Sequence, residues 1–74
     1  MKPLHVAEAP PFKLEVFYEK DQHRFRLAIW RDGECQMIQY VPATYEPVFG
    51  IDASDFQTIR EEAEAMCVEL EAKP

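Results

Sequence analysis

Apolar and polar residues alternate with a period of two through most of the stretch from Phe12 to Val41. Successive side chains of a β-strand point to opposite faces of a sheet, so this alternation is typical of strands that bury one face. The stretch divides into three such segments, Phe12–Lys20, His23–Arg31 and Cys35–Val41. The sequence therefore predicts three short consecutive strands, each with one side facing a core.

Two turns join the predicted strands and set their registers. Asp32-Gly33 favours a two-residue type I′ hairpin, because both central residues of that turn need positive φ. Asp21-Gln22 is a weaker signal for a second turn. A longer loop there could leave each side chain on the same side of the sheet while changing the pairs. Both registers place apolar residues opposite apolar ones and opposite charges together, whereas a slip of one residue would scramble the faces. The predicted pairs are Tyr18–Phe25, Val16–Leu27, Leu14–Ile29 and Glu19–Arg24, then Leu27–Ile38, Phe25–Tyr40 and Arg31–Glu34.

The C-terminal third of the chain has the pattern of one amphipathic helix. Asp52 is a suitable N-cap, with Ser54 and Gln57 as an alternative, and Asp55 lies in the first turn, where a negative charge is favoured. Apolar residues recur at steps of three and four, forming one stripe, and most glutamates fall outside it. The stripe comprises Phe56, Ile59, Ala63, Met66, Cys67 and Leu70. The linker 42–51 contains two prolines and a glycine, and we expect its Tyr45, Val48 and Phe49 to fold back over the core.

These elements predict an α+β fold of the β-β-β-α type. Three antiparallel strands in the order 1-2-3 form the sheet, and the C-terminal helix packs on one of its faces, because the Leu14, Leu27 and Ile38 face is the only large apolar surface for it. One domain spans residues 12–74. Residues 1–11 contain Pro3, Pro10 and Pro11 and are expected to form a flexible or extended tail.

Charge and cysteine content narrow the classes of function. The 74 residues carry a formal charge of −6, and most of the excess acid lies between Asp55 and Glu71. Such a balance disfavours non-specific binding to nucleic acid or anionic lipid. Two cysteines are too few for a secreted disulfide scaffold, and neither a membrane span nor a signal peptide is evident. We expect a cytoplasmic protein.

Residues that could carry catalysis are sparse. The single serine, Ser54, is explained by helix entry, and His5 and His23 fall in the tail and beside a turn. No nucleophile, P-loop or zinc-protease motif is present. Cys35 and Cys67 are predicted on opposite sides of the sheet, and no spacing supports a metal site. The sequence therefore predicts a protein that is not an enzyme and uses no metal or cofactor.

The sheet face opposite the helix is the predicted contact surface. The registers place Phe17, Ala28, Trp30, Cys35, Met37 and Val41 on it, and a contiguous apolar patch of this kind is typical of a partner-binding site. We expect Phe17, Trp30 and Met37 to form the contact centre, with Arg24 and Arg26 at its margin. A homodimer through this face or through the edge of the third strand is the leading hypothesis, and cover of Trp30 by the tail or the linker is the competing one.

Two other kinds of partner remain open. The helix presents Glu61, Glu62, Glu64 and Glu69, so the chain could act as an acidic inhibitor or adaptor for a basic partner, as some small phage- or plasmid-borne proteins do. The sheet face could alternatively read DNA through Arg24, Arg26 and Trp30. Glu15 and Glu19 on the same face, together with the net charge, oppose that second alternative.

Overall fold

The computed structural model describes residues 1–73, which form one antiparallel sheet of four strands and one helix. The strands follow one another in the order β1-β2-β3-β4, and a 3₁₀ turn over Lys20–Gln22 joins β2 to β3. The α+β class and the single C-terminal helix are confirmed, whereas the predicted strand number is wrong. The bounds are β1 His5–Ala9, β2 Phe12–Glu19, β3 Arg24–Arg31, β4 Glu34–Pro42 and α1 Ala53–Ala72. Pro74, the last residue of the predicted domain, lies outside the described residues.

The predicted register between β2 and β3 is confirmed at every pair, from Leu14–Ile29 to Glu19–Arg24. The loop between them is longer than a two-residue turn, because the 3₁₀ turn is followed by His23 in the left-handed region at φ 51°. Each side chain of β2 and β3 still points to the predicted side of the sheet, because the four-residue loop closes on the same flanking pair, Glu19 and Arg24.

The β3–β4 turn is confirmed, but the register beyond it is not. Asp32 and Gly33 have φ 53° and 78°, as a type I′ turn requires, and Arg31 pairs with Glu34. An irregularity at Ile29/Trp30 then inserts one extra residue into β4, so that Ile29 pairs with Met37. A bulge of this kind moves every later side chain of the bulged strand to the other face.

Because of the bulge, four residues of β4 lie on the side of the sheet opposite to the predicted one. Met37 and Val41 were predicted on the helix-free side but pack with the core, and Val41 is 4% exposed. Ile38 and Tyr40 were predicted in the core but lie on the helix-free side, each 46% exposed. The alternation in β4 is ambiguous because both faces of the strand carry apolar residues. Only packing in the folded protein determines which face of β4 points toward the core.

The fourth strand comes from the segment predicted as a tail. His5–Ala9 pairs antiparallel with β2, and the N–H of Leu4 extends the ladder to the carbonyl of Val16 at 2.8 Å. His5 lies on the helix side, where its ring meets Phe56 edge to face with centroids 5.1 Å apart. This strand was not predicted because its small residues and the flanking prolines do not have the composition of a strand. Its pairing with β2 supplies the hydrogen bonds that stabilise it.

Helix α1 packs over β3 and β4 and buries Ile59, Ala63 and Met66 against the sheet. Asp52 is the N-cap as predicted, since its side chain accepts a hydrogen bond from the N–H of Ser54 at 3.0 Å. Hydrogen bonds from the Ser54 hydroxyl and N–H lower the pKa of the Asp52 carboxyl. The Asp52 carboxyl therefore stays ionised, and the free N–H groups at the start of a helix favour a negative charge there.

A buried carboxylate ties the linker to the helix, although the sequence pattern predicts it only as an acidic residue of the first helical turn. Asp55 is 3% exposed, and its Oδ2 accepts hydrogen bonds from the backbone N–H groups of Thr44 and Tyr45 at 3.0 and 3.3 Å. The prediction that the linker's apolar residues cover the core is wrong. Tyr45, Val48 and Phe49 are 59%, 68% and 103% exposed, and only Ala43 and Ile51 of this region pack inward.

Candidate binding face

The sheet side opposite α1, called here the helix-free face, is organised in cross-strand rows. At one end Glu8, Lys13, Trp30 and Cys35 lie side by side on the four strands. The next row is Val6, Glu15, Ala28 and Ile38, followed by Phe17, Arg26 and Tyr40. The small Ala28 of the middle row is 4% exposed.

Both arginines of the face are held by neighbours. Arg24 Nε donates to Glu19 Oε1 at 2.6 Å, and its guanidinium carbon lies 3.8 Å from the centroid of the Tyr40 ring. Arg26 stacks over Phe17 at 4.6 Å, with its Nη1 3.9 Å from the other oxygen of Glu19. One carboxylate thus compensates two guanidinium groups, and cation–π contact further orients each of them. This end of the face is electrostatically satisfied.

The opposite end contains a hollow of about 580 Å³, called here the Trp30 hollow. The Pro10-Pro11 turn and the Asp32-Gly33 turn form two of its sides, and Trp30 lines it between them. Nε1 of Trp30 is buried and has no hydrogen-bond acceptor among residues 1–73. A buried donor without an acceptor is costly, so this end of the face is less satisfied than the arginine end. The charged residues of the hollow are Glu8, Lys13, Glu15 and Asp32.

Four of the five residues predicted to form the contact surface lie on the helix-free face. Phe17 and Trp30 are half-buried, and Arg24 and Arg26 lie beside them on β3. Met37 does not belong to this group, because the bulge turns it toward the core. The rival hypothesis places the N-terminal segment over Trp30, and in the structure the Pro10-Pro11 turn lines the same hollow as Trp30.

Ile38 and Tyr40 are surface residues that sequence reasoning missed. They occupy the edge strand β4, which has no neighbour on its outer side within the described chain. No residue from Cys35 to Val41 is charged, which leaves an apolar and amide-rich edge. The absence of charge along this segment was the available signal, because natural edge strands usually carry charges or prolines that discourage pairing.

The carboxylates of the acidic-helix hypothesis lie on α1. Glu61, Glu64 and Glu69 are exposed, whereas Glu62 is half-buried. None of them forms an ion pair within residues 1–73, where the ion pairs involve only Glu19 and Glu46. Their charge is therefore uncompensated but also well solvated, as on many helices of small proteins.

The two cysteines are free thiols that should react at different rates. Cys35 is exposed on β4, whereas burial and, secondarily, the nearby Glu71 raise the pKa of the half-buried Cys67 thiol. Because the thiolate is the nucleophile, we expect Cys35 to react with a chromogenic disulfide about tenfold faster than Cys67 or more. Stopped-flow traces of Cys35→Ser and Cys67→Ser would assign the two phases. Equal rates in the folded protein would contradict the burial of Cys67.

Comparisons with protein-family models, with curated proteins and with solved structures gave no match. Across residues 1–73, α1 is too polar to cross a membrane. What the fold and the face define is a class: a small α+β domain with one open sheet edge and one sheet face free of helix. Its function must be inferred from those two surfaces.

Proposed function

We propose that this chain is a non-enzymatic, cytoplasmic protein-interaction module that forms a homodimer by antiparallel pairing of two β4 edges. The observation that carries the proposal is the outer edge of β4, where no residue from Cys35 to Val41 is charged. An unpaired strand edge exposes a row of N–H and C=O groups that another strand can satisfy. Two cysteines are too few for a secreted disulfide scaffold, which supports the cytoplasmic setting.

The two edges of the sheet differ in how they are protected. Strand β1 has only five residues, carries Glu8, and is followed directly by Pro10 and Pro11. Short length, charge and proline are the devices that blunt an edge against pairing. On β4 the charged Glu34 and the bulge lie near the start of the strand, and Pro42 lies at its end. The stretch from Met37 to Val41 remains open, so β4 is the edge suited to a partner.

Ile38 stands at the middle of β4, which spans Glu34–Pro42. A two-fold axis through it would set Ile38 against Ile38 of the second copy and would double the sheet. Tyr40 then adds apolar surface beside the seam on the helix-free face. Met37, which was predicted to make contacts on that face, would contribute to the same seam from the helix side. Because α1 covers β3 and β4, the two helices would flank the seam on that side.

Ile38→Lys is expected to convert the dimer into a monomer, because two ammonium groups would meet at the centre of the pairing strands. The matched control is Val6→Lys. Val6 is 45% exposed against 46% for Ile38, and it lies in the same cross-strand row at the opposite edge. Sedimentation velocity should show a dimer for wild type and Val6→Lys and a monomer for Ile38→Lys. A monomeric wild type at high concentration would refute the dimer.

A second candidate function follows from the uncompensated carboxylates of α1, which could bind a basic protein surface. Reversing the charge of Glu61, Glu62 and Glu64 separates the candidates, since it would abolish helix-mediated binding and leave a β4-paired dimer intact. The remaining alternative, a DNA-reading sheet, has less support. Arg24 and Arg26 already share Glu19, so phosphate contacts would have to displace an existing pair.

A further inference from the structure

The linker between β4 and α1 carries two adjacent apolar side chains in water, Val48 and Phe49, called here the Phe49 tip. They are 68% and 103% exposed. Both lie beyond the end of β4 at Pro42, so pairing of that strand does not use them. Contiguous apolar side chains left in water favour contact with another molecule.

The Phe49 tip is presented by a linker whose two ends are fixed. Ala43 is buried, and Ile51 packs against the core. The Asp55 carboxylate accepts two backbone N–H groups of the linker, and within the linker the N–H of Val48 donates to the carbonyl of Glu46 at 2.9 Å. A tip that is already ordered loses less conformational entropy when it docks.

A complementary feature is an apolar groove of about 390 Å³ between α1 and β2, called here the α1–β2 groove. Because α1 packs over β3 and β4, this side of β2 is less covered, and Leu14 is only half-buried. The size of the groove suits an aromatic side chain with an aliphatic neighbour. Its apolar lining comprises Phe12, Leu14, Ile29, Ala63, Cys67 and Val68.

The Phe49 tip and the α1–β2 groove lie at opposite ends of the molecule. Val48 lines a depression together with Tyr18, near the end of β2, whereas Phe12 and Leu14 line the groove at the start of the same strand. The strand from Phe12 to Tyr18 spans about 20 Å. Since both ends of the linker are fixed, the tip fits the groove of another copy and not that of its own chain.

The charges near the two features are of opposite sign. The charged residues that line the groove are Glu64 and Glu71 on α1. Those that line the depression beside the tip are Lys2 and Lys20, together with Glu46. Docking of the tip therefore brings a lysine-bearing end of one copy to the acidic helix of the next, and complementary charges of this kind favour one orientation of two partners.

We propose that the Phe49 tip of one copy docks into the α1–β2 groove of a second copy. The contact is head to tail, so every pair of copies still has one free tip and one free groove to which further copies can add. It does not involve β4 and therefore goes beyond the sheet-edge dimer. Because it buries few side chains, we expect a dissociation constant on the order of 1 mM, so it adds copies only in concentrated protein.

Cys67 lines the groove, so its alkylation reports whether the groove is occupied. The reporter is Cys35→Ser, in which Cys67 is the single thiol, and the donor is the thiol-free Cys35→Ser with Cys67→Ser. Both also carry Ile38→Lys, which keeps the result independent of β4 pairing. With dilute reporter and about 2 mM donor, iodoacetamide alkylation of Cys67, followed by mass spectrometry, should slow about threefold.

Two further donors test the tip. A donor that also carries Phe49→Ser should leave the alkylation rate unchanged. A donor with Tyr45→Ser, which removes an aromatic ring that is 59% exposed in the same linker, should protect as well as the original donor. Equal rates with and without the original donor would overturn the proposal, as would a donor effect that Phe49→Ser keeps or Tyr45→Ser loses.

Two further reporters test the groove, and each is compared with itself in the absence of donor. Val68→Glu places a charge in the groove at a position that is 66% exposed, so the reporter should fold and lose its protection. Gln57→Glu adds the same charge at an exposed position near the start of α1 and should keep it. Equal protection of these two reporters, or equal loss, would contradict the groove as the docking site.

Discussion

Phe25→Ala is expected to remove a large share of the free energy of unfolding of this protein. Phe25 is 0% exposed in the centre of the core, with its ring centroid 5.5 Å from that of Tyr18. Truncating a buried phenylalanine costs about 3–5 kcal/mol. A domain of this length has a total stability of about 4–11 kcal/mol at typical values per residue. Thermal melts followed by circular dichroism should show the midpoint lowered by about 15–30 °C.

Phe17→Ala is the matched control, because it makes the same truncation on the other face of the sheet. Phe17 is half-buried and contacts Arg26 by cation–π stacking. Its loss should cost about 1 kcal/mol, mainly from that contact and from partial burial. If Phe17→Ala destabilised the protein as much as Phe25→Ala, the helix-free face would have to be buried in the folded protein, as in a dimer formed through the face itself.

Asp55→Ala is expected to lower the free energy of unfolding by about 3 kcal/mol, because it leaves two backbone N–H groups without their charged acceptor. The carboxylate is 3% exposed and holds Thr44 and Tyr45 at 3.0 and 3.3 Å. Urea unfolding of the variant should show a lower midpoint. Hydrogen exchange at the amides of Thr44 and Tyr45 should become much faster, which a general loss of stability spread over all amides would not reproduce.

Two control variants separate the linker tie from an ordinary helix-start effect. Asp55→Asn keeps one carbonyl acceptor and should recover about half of the lost stability. Asp52→Ala removes the N-cap, an exposed interaction worth about 1 kcal/mol. If Asp55→Ala cost no more than Asp52→Ala, the hydrogen bonds to the linker would contribute little, and Asp55 would act only as a first-turn acid.

The register between β2 and β3 could be predicted because several weak signals agree there. Each strand has one clearly apolar side, and Glu19 with Arg24 adds a charge pair at the end of the hairpin. A shift by one residue would expose every apolar side chain at once. Trp30 is therefore placed on the helix-free face by the sequence alone, as are Phe17, Arg24 and Arg26.

The bulge in β4 had no comparable signal. Met37 and Ile38 are adjacent and both apolar, so a strand with either of them inward satisfies the pattern. The choice depends on which one fills the space left by Ile29 and α1, and that space exists only in the assembled core. As a result the sequence predicted Met37 as a contact residue and missed Ile38, which now forms the centre of the proposed seam.

The amino-acid order by itself determined the class of fold, the central hairpin, the Asp32-Gly33 turn and the helix cap, because each depends on neighbours close in the chain. Only the tertiary structure decided the strand at His5–Ala9, the facing of β4, the outward position of Phe49 and the hollow beside Trp30. Apart from the exposed Phe49, each of these is set by a contact between distant segments, where a short or ambiguous stretch takes the conformation that its surroundings stabilise.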